Sequence, residues 1–142
     1  MGTKMPSRIR VETALAAVVV AAGYSAMWAY WFWHVHNGDG PVGGEVTVGS
    51  LVASGVAAGL ISGRFQDGIV SWVVAFIVAV LSYQATYTID PSWPRSEDPF
   101  ELLIVIDAIF LLVIVGGGHI LGAAGRKWWS RITFDRIAAK TR

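Results

Sequence analysis

The sequence predicts an all-α integral membrane protein, with four transmembrane helices in a bundle and a short amphipathic interfacial segment at the C-terminal end. Two observations predict this fold class. The chain of 142 residues is 54% hydrophobic and 15% charged, whereas soluble domains carry about 25% charged residues. The charged residues also cluster, so that four long apolar runs lie between them. A soluble chain of this length could not bury four such runs.

Each apolar run is close to the length that crosses a bilayer. A hydrocarbon core about 30 Å thick needs roughly 20 residues of helix, with about 17–25 tolerated. Within a single membrane domain, 1–142, we place the spans at about 13–34, 46–63, 68–89 and 100–125, followed by a basic tail, 126–142. The first run is too long for a signal peptide and ends in aromatic residues, so we expect it to be a retained span.

The basic residues predict the orientation of the spans. Lys and Arg concentrate on the cytoplasmic flanks of membrane proteins. They precede the first span, occur in the second connection and fill the tail, whereas the first connection has none and the third has Arg95 among four acidic residues. We therefore expect both termini in the cytoplasm. The Ala-, Val-, Gly- and Trp-rich composition is typical of a prokaryotic source, which makes the plasma (inner) membrane the expected location.

Aromatic residues crowd at the predicted membrane boundaries. Their rings are apolar while their N–H and O–H groups bind water, which favours the interface. The tail, in which Ile132 and Ile137 alternate with basic residues, is predicted to lie in the cytoplasmic headgroup layer. It serves there as an anchor or as a docking surface for a partner or anionic lipid. The interfacial belt consists of Trp28, Tyr30, Trp31, Trp33, Trp128 and Trp129.

Two histidines, His34 and His36, are weak candidates for metal ligands. On a continuing helix they project about 200° apart and cannot hold one ion, whereas in an extended chain they share a side. His119 is expected near the opposite membrane face, so His34 and His119 cannot ligate one haem iron. We favour an interfacial role, with a metal, quinone or proton role as the alternative. No metal site and no cofactor are predicted.

Asp107 is the charged residue that interrupts the last apolar run. A carboxylate near the membrane centre costs roughly 2.5–3.5 kcal/mol on the insertion scale, and such residues usually face the bundle interior. The favoured interpretation is a protonated or hydrogen-bonded Asp that fixes helix register. The alternatives are a carboxylate that moves protons or ions, and one that contacts a partner subunit. The candidate polar partners at its depth are Ser50, Ser54, Tyr30, Tyr83, Gln84 and His34.

Glycines predict a close crossing of the second and fourth helices. A stripe of small residues at a spacing of four lets two backbones approach. With uniform helical spacing, Asp107 shares one face of the fourth helix with Leu111, Ile114 and a glycine set. We expect that face to pack on the stripe of the second helix. The stripe consists of Gly55, Gly59 and Gly63, and the facing set consists of Gly118, Gly122 and Gly125.

The sequence offers little chemistry for catalysis. It lacks nucleotide-binding, zinc-protease and serine-hydrolase motifs, and it has no cysteine, which excludes thiolate sites and disulfides. Its basic residues follow the membrane flanks, which is not typical of nucleic-acid binding. We therefore expect neither an enzyme nor catalytic residues.

Three functions remain. The first is a non-catalytic accessory subunit of a larger respiratory, photosynthetic or transport complex, with other membrane subunits and lipids as partners. The second is a small homo-oligomeric channel, or a proton- or ion-coupled transporter that uses Asp107. The third is a holin-like pore-forming protein. In its four spans, length and inside termini the chain resembles the small four-helix accessory subunits of some bacterial terminal oxidases. No motif carries this resemblance, so it assigns no residue.

Overall fold

The computed structural model describes residues 7–37, 44–91 and 100–140, and describes side chains for 11–37, 45–91 and 105–134. Within these ranges the chain is helical and has no strand. Of the charged residues on which the predicted orientation depends, Lys4, Arg95, Glu97 and Asp98 lie outside the described residues, and the side chains of Arg8, Arg10 and Glu101 lie outside the described side chains. The helices in chain order are α1 (Ser7–His36), α2 (Gly44–Ser62), α3 (Asp67–Ile89), α4 (Phe100–Leu111) and α5 (Gly117–Lys140).

Four helical stretches are long and apolar enough to cross a membrane, which indicates a multi-pass membrane protein. Each overlaps the apolar run predicted for it. In the fourth, a π-helical segment (Leu112–Gly116) joins α4 to α5 without a break. The four stretches within the described residues are Val11–His36, Glu45–Ser62, Asp67–Ile89 and Val105–Phe134.

The helix of the fourth span continues beyond Gly125, where the predicted span ends. α5 continues through Gly125 into the basic tail and ends at Lys140. No proline follows Gly125, and Gly63 is the glycine with a positive φ among the described residues. Nothing therefore ends the helix at Gly125, and an unbroken helix keeps its backbone hydrogen bonds. The basic tail is therefore helical and continuous with the helix of the fourth span.

A tight turn connects α2 to α3. Gly63 has a φ of 63°, and its N–H donates to the carbonyl of Gly59 at 2.8 Å. Glycine is favoured at such a left-handed helix end because it has no Cβ to clash with the backbone. Since α3 already begins at Asp67, the two helices are antiparallel neighbours.

α2 is the central helix of the packing. Its most extensive contacts are with α5 on one side and α1 on the other, and α1 also packs on α3. Small buried side chains allow the helices to approach closely, as is common where lipid surrounds them. α4, by contrast, packs mainly on α3. The buried apolar cluster consists of Ala16, Val20, Leu51, Ala58, Ala75, Ala79, Leu111 and Val115.

Glycines form the contact between α2 and α5. Gly55 and Gly59 on α2, and Gly118 and Gly122 on α5, each lie against the backbone of the opposite helix. A Cβ at any of the four would collide with a carbonyl oxygen there. The oxygens belong, in that order, to Val115, His119, Val52 and Val56. Gly125 is not part of this contact, because a Cβ there would meet only the Leu60 side chain, at 3.9 Å.

The π-helical segment changes the helical register of the fourth span. A π turn contains one residue more than an α turn, so the faces of α4 and α5 are rotated relative to each other. The prediction that Asp107 shares a face with Gly118 and Gly122 assumed uniform spacing and is wrong. The indole Nε1–H of Trp72 donates to the Ala108 carbonyl at 2.9 Å, just before the segment.

Candidate functional site

Two polar groups of residues lie along α3, one near each of its ends. The first, which we call the His119 cluster, consists of His119, Ser62, Ser71 and the carbonyl of Arg64. The second, which we call the Asp107 cavity, lies between α1, α3 and α4. The two differ in the property that decides their chemistry, because the cluster is closed and the cavity is open.

His119 is fully buried, with 0% of its surface exposed. Its Nδ1 lies 2.8 Å from Ser71 Oγ, and its Nε2 lies 3.0 Å from the Arg64 carbonyl oxygen and 3.1 Å from Ser62 Oγ. A carbonyl can only accept a hydrogen bond. In the neutral ring, therefore, Nε2–H donates to Arg64, and Nδ1 accepts a hydrogen bond from the Ser71 hydroxyl.

The cluster ties three parts of the chain to α5. Ser62 ends α2, Arg64 lies in the turn, and Ser71 belongs to the beginning of α3. Ser62 Oγ also accepts the backbone N–H of Arg64 at 3.2 Å. Among the described residues, no buried side-chain nitrogen or oxygen lacks a hydrogen-bond partner. A satisfied polar network in a low-dielectric interior fixes the positions of its members. The cluster therefore holds α2, α3 and the turn between them against α5, and we call this role a clamp.

Charged residues extend the clamp to α1. Asp67, which is 6% exposed, accepts a hydrogen bond from Thr13 Oγ1 at 2.9 Å. Arg126 donates to the carbonyl of Ile61, and its Nη2 lies 3.3 Å from Glu12 Oε1. Partly exposed ion pairs contribute little stability on their own. Their role here is positional, because they hold α1 and α5 at the end of α2.

Sequence reasoning missed the His119 cluster. His119 served only to exclude a shared haem, and Ser62 and Ser71 are ordinary residues within apolar runs. The available signal was a histidine inside an otherwise apolar span, since ionisable residues in such positions usually face the helix interior. Its partners could not be identified without knowing how α3 and α5 are rotated against each other.

Asp107 is not buried in the helix interior, although it borders the cavity that residues of α1 and α3 line. Asp107 is exposed, and its neighbours Val105, Ile106 and Ile109 are 53%, 52% and 60% exposed. The physical reason is the limited packing of α4, which contacts mainly α3. The described part of α4 is thus less covered than the part of α5 that packs on α2.

Asp107 lies at the edge of a cavity of about 120 Å³. Trp28 Nε1–H donates to Thr86 Oγ1 at 3.2 Å, and Tyr87 O–H donates to Tyr83 Oη at 2.9 Å. These bonds hold the polar groups of the wall in place. No hydrogen bond joins Asp107 to a side chain within the described residues. The lining consists of Tyr24, Trp28 and Trp31 from α1, Ala79, Ser82, Tyr83, Thr86 and Tyr87 from α3, and Asp107 from α4.

Of the six predicted partners of Asp107, Tyr83 lines this cavity with it and the others lie elsewhere. Ser50 and Ser54 donate to carbonyls of their own helix, those of Val46 at 2.7 Å and Leu51 at 2.9 Å. Ser50 and Tyr30 border a second cavity, between α1 and α2. These residues occupy faces that α1 and α2 turn toward each other. Gln84 is exposed, and the ring of His34 stacks on Tyr30.

The two histidines of α1 are on a continuing helix, which ends only at His36. The His34 ring stacks on Tyr30, with centroids 5.1 Å apart, and the His36 ring stacks on Phe32 at 5.6 Å. His36 Nδ1 also lies 3.8 Å from Asp90 Oδ2. In the part of the chain that the structure describes, no three His, Cys, Asp or Glu side chains are grouped to hold a metal ion.

The residues of the predicted interfacial belt divide into two sets. Trp28 and Trp31 line the Asp107 cavity, which gives them a place in the candidate site. Trp33 is 68% exposed at the same end of α1. Trp128 and Trp129, at the other end of the fold, are 64% and 69% exposed.

An apolar layer separates the cluster from the cavity. Going along α3 from Ser71, the next inward positions are Ala75 and Ala79, and Val115 and Leu111 accompany them on the fourth span. All four are buried. The two polar sites are thus not connected through the described interior.

In comparisons with known proteins, no family model, no curated protein and no solved structure matches this chain.

Proposed function

We propose that the chain is a non-catalytic accessory subunit of a larger membrane complex. It forms a four-helix bundle in a prokaryotic plasma membrane with both termini in the cytoplasm. The observation that supports this best is the unequal packing of the fourth span. Its inner half is held against α2 through glycines, whereas its outer half packs mainly on α3 and bears the exposed Asp107.

The exposed carboxylate of Asp107 supports contact with a partner subunit. A charged group near the bilayer centre costs roughly 2.5–3.5 kcal/mol, and such groups normally face protein or water. Asp107 is flanked by Ile106 and Ile109, which are 52% and 60% exposed. A helix of another subunit that packs on this face covers the apolar surface, and a polar or basic side chain on that helix pairs with the carboxylate, which lowers the cost that lipid contact imposes.

The packing at the inner end of the fold supports a rigid subunit rather than an ion pathway. The His119 cluster has all its buried polar atoms hydrogen-bonded, and the apolar layer isolates it from the Asp107 cavity. Such an arrangement stabilises one helix packing rather than a path for ions. It suits a subunit that presents a fixed surface to its neighbours in a respiratory, photosynthetic or transport assembly.

The position of the tail supports the proposed orientation. The Lys127 ammonium lies 3.9 Å from the ring centroid of Phe65 in the α2–α3 turn. The basic tail and the turn with Arg64 are therefore at one end of the fold. Basic residues at one end agree with a cytoplasmic location, where they can also bind anionic lipid headgroups.

The proposal is tested by purifying the tagged chain from its native host in a mild detergent and measuring its composition by mass spectrometry. We expect stoichiometric co-purification of other membrane subunits. Ile109→Trp, on the exposed face of α4, should release them. Ile77→Trp, at a position on α3 that is 51% exposed, is the matched control and should retain them. A chain that purifies without partners, as a homo-oligomer, contradicts the accessory role.

A small channel or an ion-coupled transporter is the second candidate, and the Asp107 cavity is the observation that favours it. If Asp107 carries protons or ions, Asp107→Asn abolishes transport in proteoliposomes while the protein still assembles. Unchanged transport or complex activity in Asp107→Asn contradicts that role. The holin-like alternative rests on size and on the number of spans alone.

A further inference from the structure

We infer that the Asp107 cavity is a binding site for a small organic cation that carries a methylated ammonium group. The site combines one carboxylate, aromatic walls from two helices and an open cavity of suitable size. The inference does not rest on the accessory role, because a cation site at the base of the cleft is compatible with a partner above it and with a transporter.

The charge at the site comes from Asp107. Its carboxylate has no hydrogen-bonded side-chain partner among the described residues, and it borders the cavity rather than facing away from it. An opposite charge within a few ångströms interacts more strongly in a low-dielectric setting than in water. A cation in the cavity therefore compensates the carboxylate where bulk water is scarce.

The aromatic walls select for an organic cation. Tyr24, Trp28 and Trp31 line one side, and Tyr83 and Tyr87 line the other. Cations are attracted to the faces of such rings, and methylated ammonium groups are the ligands that aromatic cages recognise. The methyl groups of the ligand contact the rings, while its charge faces the carboxylate.

A hard metal ion suits this site less well. Calcium takes six to eight oxygen ligands and magnesium requires octahedral oxygen coordination. The cavity supplies one carboxylate, and the hydroxyl groups of Tyr87 and Thr86 already donate hydrogen bonds within the fold. Tyr87 donates to Tyr83, and Thr86 donates to the Ser82 carbonyl at 3.0 Å. The polar groups therefore cannot replace the hydration shell of such an ion.

The cavity is large enough and its walls are organised. Its volume of about 120 Å³ is similar to that of engineered cavities of about 150 Å³ that accept benzene. Trp28 is held by its hydrogen bond to Thr86 and by stacking on Phe32, with centroids 5.5 Å apart. A wall that is already positioned loses little conformational entropy when a ligand binds.

Choline and its uncharged analogue 3,3-dimethyl-1-butanol are the probes for this site. The full-length chain in detergent is titrated with each, and the intrinsic tryptophan fluorescence is followed, since Trp28 and Trp31 line the cavity. Sodium chloride keeps the ionic strength constant. We expect a saturable change with choline and none with the alcohol.

The comparison of two carboxylate variants decides the result. Asp107→Asn removes the charge with little change in shape, and we expect it to weaken choline binding at least about tenfold. Glu45→Gln removes an exposed carboxylate at the start of α2 and should bind like the wild type. Circular dichroism shows whether each variant retains the helical content of the wild type. As a second variant, Tyr24→Phe retains the ring and should retain binding.

Three outcomes overturn the inference: no saturable response of the wild type to choline, an equal response to the alcohol, or equal binding by Asp107→Asn and wild type. This titration is independent of the co-purification experiment. A chain that binds choline but has no partners contradicts only the accessory role, and a chain with partners that ignores choline contradicts only the cation site.

Discussion

The imidazole Nδ1 of His119 lies 2.8 Å from the hydroxyl Oγ of Ser71, and this contact joins the fourth span to the third inside an apolar interior. The opposite side of the same ring bonds the Arg64 carbonyl. One side chain thus connects α5 both to α3 and to the turn that precedes it. The position of the ring fixes how far α5 slides along its neighbours.

Replacing His119 should destabilise the fold strongly. His119→Ala removes the imidazole that bonds the Arg64 carbonyl and leaves the Ser71 hydroxyl without its partner, and a buried polar group left unsatisfied costs about 1–3 kcal/mol. Thermal unfolding in detergent, followed by circular dichroism, measures the loss. His36→Ala is the control, because the side chain of His36 is 57% exposed. If both variants melt at the same temperature, the cluster is not a clamp.

Ser71→Ala tests the hydrogen bond at Nδ1 of His119 separately from the one at Nε2. The variant removes the donor to Nδ1 while the bond from Nε2 to Arg64 remains. We expect a smaller loss of stability than for His119→Ala, on the order of 1 kcal/mol, measured in the same unfolding experiment. A Ser71→Ala protein as unstable as His119→Ala would show that the serine has a role beyond this hydrogen bond.

The glycine contact between α2 and α5 should not accept even one methyl group. The Cβ of Gly59→Ala would collide with the His119 carbonyl oxygen, and backbone atoms cannot rotate away. Overpacking of this kind typically costs about 1–3 kcal/mol, and Gly59→Leu should be worse. Gly49→Ala on the same helix is the control, because nothing lies within 4 Å of the added Cβ. Its stability in the same melting assay should equal or exceed that of the wild type. Equal melting of the two alanine variants would argue against the close crossing.

Removing one residue from the π-helical segment should rotate Asp107 away from its cavity. Deletion of the exposed Val113 restores the α-helical period, and α4 turns by about 100° relative to α5. The chain has no cysteine, so Asp107→Cys can be labelled alone with a cationic thiol reagent. We expect its labelling rate to change on deletion, whereas Ala124→Cys on α5 should keep its rate. An unchanged rate at position 107 would mean that the segment does not set the register.

The orientation of the spans is testable in the same cysteine-free background. Asn37→Cys and Gln66→Cys place single thiols at exposed positions in the first and second connections. With intact cells and a membrane-impermeant maleimide, we expect labelling at position 37. Position 66 should be labelled only after permeabilisation. The reverse pattern would place both termini outside.

The local properties of the chain could be read from its sequence. Apolar runs predict the helices because a membrane span depends on length and hydrophobicity alone. The turn at Gly63 and the small-residue stripe through Gly55 and Gly59 are also local patterns. The structure places the former at a left-handed helix end and the latter against α5.

The tertiary structure decided which polar residues meet. Uniform helical spacing put Asp107 on one face with Gly118 and Gly122, but the π turn at Leu112–Gly116 rotates α4 relative to α5. Asp107 lies beside Tyr83 and away from Ser50 and Ser54. His119 contacts Ser62 and Ser71, which lie 57 and 48 residues away in the chain. Apolar periodicity determines that a helix forms and which part lies in the membrane. The rotation and height of each helix follow from close contacts between distant backbones, and a single sequence does not encode these as a local pattern.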